Sequence, residues 1–306
     1  MIIFVINLFI IMNYLKLRDW IPINKLNWYF LSQNPYAIEL LKENQDKIIW
    51  SELLYNPNAI ELIKDNPDKI NWEYLSCNKN AIDLLKANLD KIHWDYLSFN
   101  ENAIDLLKEN EDKINWNLLS LNKNAIEILN KNPDKINWNN LSLNPNAIEL
   151  LTNNLEKINW YYLSSNPNAI KLLINNQQKI NWSYLSSNSN AIELLINNPE
   201  KINWSLFSCN ENNLEIIKNN KNKIDWDYLS LNKNAIDLLK ENQHKIHWNN
   251  FSKNTAIFTY DYEKIRYKNQ DLNYEIICKA LHPKRMLRLI NEYSEDIIYN
   301  CYFEDE

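Results

Sequence analysis

Tryptophan occurs at positions 28, 50, 72, 94, 116, 138, 160, 182, 204, 226 and 248, each step being 22 residues. Other positions keep that register. Lys stands three residues before each Trp, from Lys25 to Lys245, and Asn six residues after, from Asn34 to Asn254, in all eleven copies. Ser stands four residues after, with Leu54 as the single exception. Within a unit the apolar residues follow helical spacing. Trp72 and Leu75 lie three apart, and Ala81, Leu84 and Leu85 lie at i, i+3 and i+4, a core-facing stripe.

The pattern predicts two short helices per unit. Asn71 is placed to cap the first, which runs from Trp72 to about Cys77. Asn78 caps the second. The residue after this Asn is Pro at 35, 57, 145 and 167, where the fixed φ of proline suits a first helical position. Asp83 and Lys86 form an exposed acid-to-base pair. Asn88 is expected to end the helix in the left-handed conformation, often with Pro next, as in Asn66-Pro67. A single long helix is excluded, because Pro57 and Pro67 would break it at two places in the unit. A leucine-rich repeat is disfavoured, because it needs strand alternation before its Asn.

The expected fold is therefore all-α: an elongated α-solenoid of about eleven 22-residue two-helix repeats with helical caps. Helices this short are marginal alone and persist because each unit covers its neighbour's apolar face. Layers about 8–10 Å apart imply a rod or arc roughly 90–110 Å long. The solenoid spans residues 28–257. Residues 13–27 form a partial unit with Trp20 out of register, read as the N-terminal cap. Residues 258–306 form the C-terminal cap and tail, with helices expected at roughly 261–281 and 283–291. Residues 1–12 are an apolar segment too short to span a bilayer, which takes about 20 helical residues. Met12 reads as the true start, and a hydrophobic anchor is the alternative.

Composition changes the picture at four points. Hydrophobic residues make up 45% of the chain, enough apolar material to argue against disorder. Glycine is absent while Asn occurs 56 times, so Asn is expected to serve at turns where Gly usually would. The net charge of −6 disfavours a large basic face for nucleic acid. Cys77, Cys209, Cys278 and Cys301 are far apart and form no CxxC, as in a reduced intracellular chain.

The units KINWxxLSxNPNAIELL resemble the tandem repeats of uncharacterised proteins from giant DNA viruses of amoebae and algae. LRDWIP at 17–22 resembles that family's usual opening, and IFTYDYEKI at 257–265 with LHPKR at 281–285 its usual ending. The resemblance covers residues 17 to about 290. It implies an origin in a large DNA virus, with action inside an infected host cell or in the virion, and it carries no activity or catalytic residue to transfer.

No catalytic set is visible, and without Gly there is no phosphate-binding loop. No cofactor is expected. His244 and His247 lie three apart but lack a third ligand, so no metal site is expected. The Trp ladder reads as core, the Asn ladder as caps, and the Lys ladder as solvated charge partly neutralised by a preceding acid, as in Asp46-Lys47. The varied positions are the better candidates. Two residues after Trp stand Phe30, Tyr74, Tyr96, Leu118, Tyr162, Tyr184, Leu206 and Tyr228, an aromatic-rich stripe suited to binding a partner. Five residues after Trp stand Gln33, Tyr55, Cys77, Phe99 and Leu121, among others. The expected function is a non-enzymatic scaffold that binds an unknown host or viral protein. The alternatives are a helical-repeat nucleic-acid binder and an enzyme with its site in the tail. No membrane association is expected unless residues 1–12 are retained as an anchor.

Overall fold

The computed structural model describes residues 14–268 and 283–293. The segment 1–12, much of the tail helix expected over 261–281, and the chain end lie outside the described residues. Two compact units are present. One comprises residues 15–259 and holds every repeat; the other comprises residues 1–14 and 260–306.

Each repeat holds three short elements. In the third repeat a first helix spans Trp72–Leu75, a second spans Ile82–Lys86, and a 3-10 turn spans Leu89–Lys91. The two-helix solenoid expectation holds, and the 3-10 turn is an addition to it. Asn71 caps as expected, its side chain accepting from the amides of Glu73 and Tyr74 at 3.0 and 3.3 Å. Leu75, Ala81 and Leu85 are buried.

The left-handed cap at Asn88 is corrected. Its φ is −141°. Its side-chain amide instead donates to the Leu84 carbonyl at 2.9 Å, occupying an acceptor the helix end leaves free. Asn66, Asn110 and Asn154 make the same bond, also with negative φ. A chain that uses no positive φ at these caps has no need of glycine there.

Repeats are joined by buried polar ladders. Asn144 donates to the Ser120 and Asn122 carbonyls of the preceding repeat at 3.1 and 3.0 Å, and accepts from its own Asn146 amide at 3.0 Å. Ser142 donates to the Trp138 carbonyl and accepts from the Asn159 amide of the following repeat at 3.0 Å. These residues are buried, so their constancy follows from the high cost of an unpaired polar group away from water. Leu54 has no hydroxyl to offer the amide of Asn71, which makes the junction of repeats two and three the exception.

The expected rod or arc is a closed ring. Asn34 of the first repeat donates to the Ser252 and Asn254 carbonyls of the eleventh at 3.1 and 3.3 Å. The Asn27 amide donates to Ser252 Oγ at 2.9 Å. Lys25 lies over the Trp248 ring at 5.0 Å, as Lys47 lies over Trp28. The Asn and Ser ladder bonds that join consecutive repeats thus recur between the last repeat and the first. A full turn shared among eleven repeats is about 33° each, and the contour of about 90–110 Å becomes a circumference, about 30–35 Å across.

Both chain ends build the eleventh repeat. Residues 248–257 supply its first helix (Trp248–Lys253) and turn (Thr255–Ile257), and Ile23–Lys25 supplies its 3-10 turn. Where other repeats have a second helix, the strand Leu15–Leu17 pairs with Phe258–Tyr260. Arg18 donates from its amide to the Ile257 carbonyl at 3.0 Å and from Nε to the Ala256 carbonyl at 2.7 Å. Trp20 packs on Phe251 with ring centroids 5.9 Å apart. Residues 14–27, part of the expected N-terminal cap over 13–27, are thus half of a seam. In the second unit the Asp261 amide donates to the Tyr14 carbonyl, and helices span Tyr262–Lys268 and Pro283–Tyr293.

Asn213 is fully buried at the position where the first to eighth and the tenth repeats place Ala, from Ala37 to Ala235, and its side-chain amide has no hydrogen-bond partner. Asn213→Ala removes an unsatisfied buried amide and restores the packing of the other repeats. It is expected to stabilise the ring by about 1–3 kcal/mol, read as a higher urea midpoint at unchanged slope.

Candidate functional site

The first helices form the inner wall of the ring. Neighbouring first helices run in contact, Trp28–Gln33 lying against both Trp50–Leu53 and Trp248–Lys253. The second helices stand further apart and are bridged by side chains, as where Lys108 reaches Glu127 at 2.7 Å. On a closed circle the side of closer approach is the inner one. The residues one, two and five places after each Trp project from this wall, because Trp, the Leu three after it and the Ser four after it face the core.

The Trp ladder is only part core. The rings are half-buried and pack against the core cluster, while a Lys from the 3-10 turn that ends the repeat lies over most of them. Lys91 lies over Trp72 at 4.8 Å, Lys157 over Trp138 at 4.7 Å, and Lys201 over Trp182 at 4.3 Å. Ten of the eleven ladder lysines make this contact; Lys69 instead pairs with Asp68 at 2.9 Å. The lysines are exposed, as expected of solvated charge, and these ten also rest the ammonium on an indole π face. Lys157→Ala is expected to cost about 0.5–1 kcal/mol in urea titration, with altered Trp138 emission.

The stripe two places after Trp lies along the inner wall, but most of it is half-buried. Phe30, Tyr74, Tyr96, Leu118, Tyr162, Tyr184 and Leu206 are half-buried, and Tyr228 alone is exposed. Three of them are overlaid by a side chain of the preceding repeat. Tyr55 stacks on Tyr74 at 5.4 Å, Tyr161 on Tyr184 at 4.1 Å, and Lys253 sits over Phe30 at 4.1 Å across the seam. Gln33 hydrogen-bonds Glu52 in the same way. The positions one and five after Trp are therefore the outermost layer. Tyr29, Tyr55, Phe99 and Tyr161 are exposed there. Tyr29 and Tyr161 were missed by the sequence reasoning, although residues one and five after Trp are four apart and share a helical face.

The wall is uneven around the circle. In repeats two to four, Tyr55, Cys77 and Phe99 give a large, a small and a large side chain in succession. Between them lies an open groove of about 150 Å³, also lined by Pro57, Lys79 and Glu101. Burial pushes the Cys77 thiol up to about 11, and burial is likewise the first cause that pushes the Tyr55 hydroxyl up to about 12. Both are neutral at neutral pH. Glu73 and Asp95 stand exposed one helical turn before Cys77 and Phe99.

His247 replaces Asn as a cap, its Nδ1 accepting from the Asn250 amide at 3.3 Å. His93 stacks on Tyr96 at 4.9 Å. Among the described residues no three His, Cys, Asp or Glu side chains come together, and no helix is long and apolar enough to cross a membrane. Comparison with protein-family models, curated proteins and solved structures finds no match to this chain.

Proposed function

We propose that the ring is a non-enzymatic scaffold that binds a protein partner through its inner wall. One observation carries this reading. The constant residues are engaged in caps, ladders and packing, while the varied residues of the first helices leave exposed rings at Tyr29, Tyr55, Phe99, Tyr161 and Tyr228 along one continuous surface. Exposed aromatic side chains combine large contact area with little conformational entropy to lose, which suits them to interfaces. The nucleic-acid alternative rests on the Lys and aromatic ladders, and ten of the eleven ladder ammonium groups lie on Trp rings. The varied inner-wall positions also carry Glu52, Glu73, Asp95 and Asp227 against Lys253 alone, a balance that repels phosphate. On the resemblance to giant-virus repeat proteins, the proposed partner is one met in an infected host cell or in the virion.

The test is site-specific photo-crosslinking in such a cell. A photoreactive side chain at position 99 on the inner wall is expected to capture a discrete protein, whereas one at position 86 on a second helix is not. Equal capture from both positions, or from position 86 alone, refutes the inner-wall platform.

A further inference from the structure

We infer that the groove of repeats two to four receives an arginine-bearing segment of the partner protein. This rests on the inner-wall reading and names the chemistry it recognises. The groove has aromatic walls at Tyr55 and Phe99, a small floor at Cys77, and an apolar edge at Pro57. Exposed carboxylates stand one helical turn before two of its lining residues, Glu73 before Cys77 and Asp95 before Phe99, and Lys79 and Glu101 bring one charge of each sign to its lining. Glu101 is bridged to Lys123 at 2.8 Å, and Asp95 already accepts from Asn115 at 3.1 Å, so both are held in place.

Three of the four carboxylates at the varied inner-wall positions, Glu52, Glu73 and Asp95, fall in the same three repeats as these two exposed rings. A guanidinium answers both features at once. Its plane stacks on an aromatic face, and its edge donates two parallel hydrogen bonds to a carboxylate. A lysine ammonium lacks the flat face and the fork, and an acidic segment meets repulsion. The net charge of −6 steers a basic segment toward the ring from a distance.

The experiment uses three labelled twelve-residue peptides of alanine and serine around a central leucine, carrying three arginines, three lysines or three glutamates. Binding to the full chain is followed by fluorescence anisotropy at low and high salt. The arginine peptide is expected to bind best, to weaken with salt, and to lose about tenfold in affinity to a Tyr55→Ala/Phe99→Ala variant and to a Glu73→Gln/Asp95→Asn variant. A Glu149→Gln variant, exposed on the second helix Ile148–Thr152 and away from the inner wall, is expected to bind it normally. Thermal melts confirm that each variant is folded. Equal binding of the arginine and glutamate peptides, or no loss in either double variant, overturns the assignment. A partner cross-linked from position 99 through a segment without arginine also overturns it and leaves the platform standing; absence of cross-linking at position 99 removes both.

Discussion

Asn166→Ala is expected to destabilise the ring by about 3–5 kcal/mol, far more than a typical Asn substitution. Asn166 is 1% exposed and serves three backbone groups. It donates to the Ser142 and Asn144 carbonyls at 3.0 and 2.9 Å and accepts from the Asn168 amide at 3.0 Å. Alanine leaves all three without a partner in a site too tight for water to replace them readily. Asn166→Asp keeps the shape and the acceptor but loses both donated bonds and buries a charge, so it is expected to cost at least as much. Asn168→Ala is the control. Its amide makes one bond at the surface, to the Pro145 carbonyl, and its loss is expected to cost about 1 kcal/mol or less. Urea unfolding of the three variants decides the matter. A cost for Asn166→Ala no greater than for Asn168→Ala refutes the ladder as the main bond between repeats.

Trp20→Ala is expected to cost about 2–3 kcal/mol and to show its effect at both ends of the sequence. Trp20 packs on Phe251, which is fully buried, so alanine opens a cavity at the seam. Amide exchange followed by mass spectrometry is expected to quicken together in residues 15–27 and 248–258, while repeats five to seven keep their protection. Faster exchange confined to the N-terminal segment would mean that this segment is an edge cap and the circle is open.

The repeat, its helices and its Asn caps were legible because period and capping are local properties. Trp72, Leu75, Ala81 and Leu85 declare their faces through spacing alone. Closure was not legible. Whether identical units make a rod or a circle depends on a small difference in spacing between first and second helices, and no single residue encodes it. Only the odd segments LRDWIP and IFTYDY marked the place, and their meaning emerges when Arg18 meets Ala256 and Ile257. The contact of Lys91 was not legible because its register was counted from the Trp that follows it in sequence, whereas it lies over Trp72, the Trp of its own repeat. Asn88 was misread because its side chain bonds backward to Leu84, an option that gives the same terminal Asn without a left-handed residue. The binding stripe was half legible. Variation located the inner wall, but the layering of one repeat's side chains over the next decides which rings remain outermost.

A repeat shared by both chain ends also sets the order of events during synthesis. The first repeat leaves the ribosome with the face that will receive Ser252 and Asn254 uncovered, and more than two hundred residues must follow before those partners exist. Every intermediate repeat can stack on its predecessor as it emerges, so growth is local and fast. The final docking joins residues as far apart as Arg18 and Ala256, 238 positions, and is the one step of high loop-closure entropy. Until then the nascent chain presents two complementary sticky ends, and a second nascent chain nearby offers the same pair. Polysome crowding therefore favours head-to-tail chains over monomeric circles, and the yield of closed protein is expected to rise as translation is diluted.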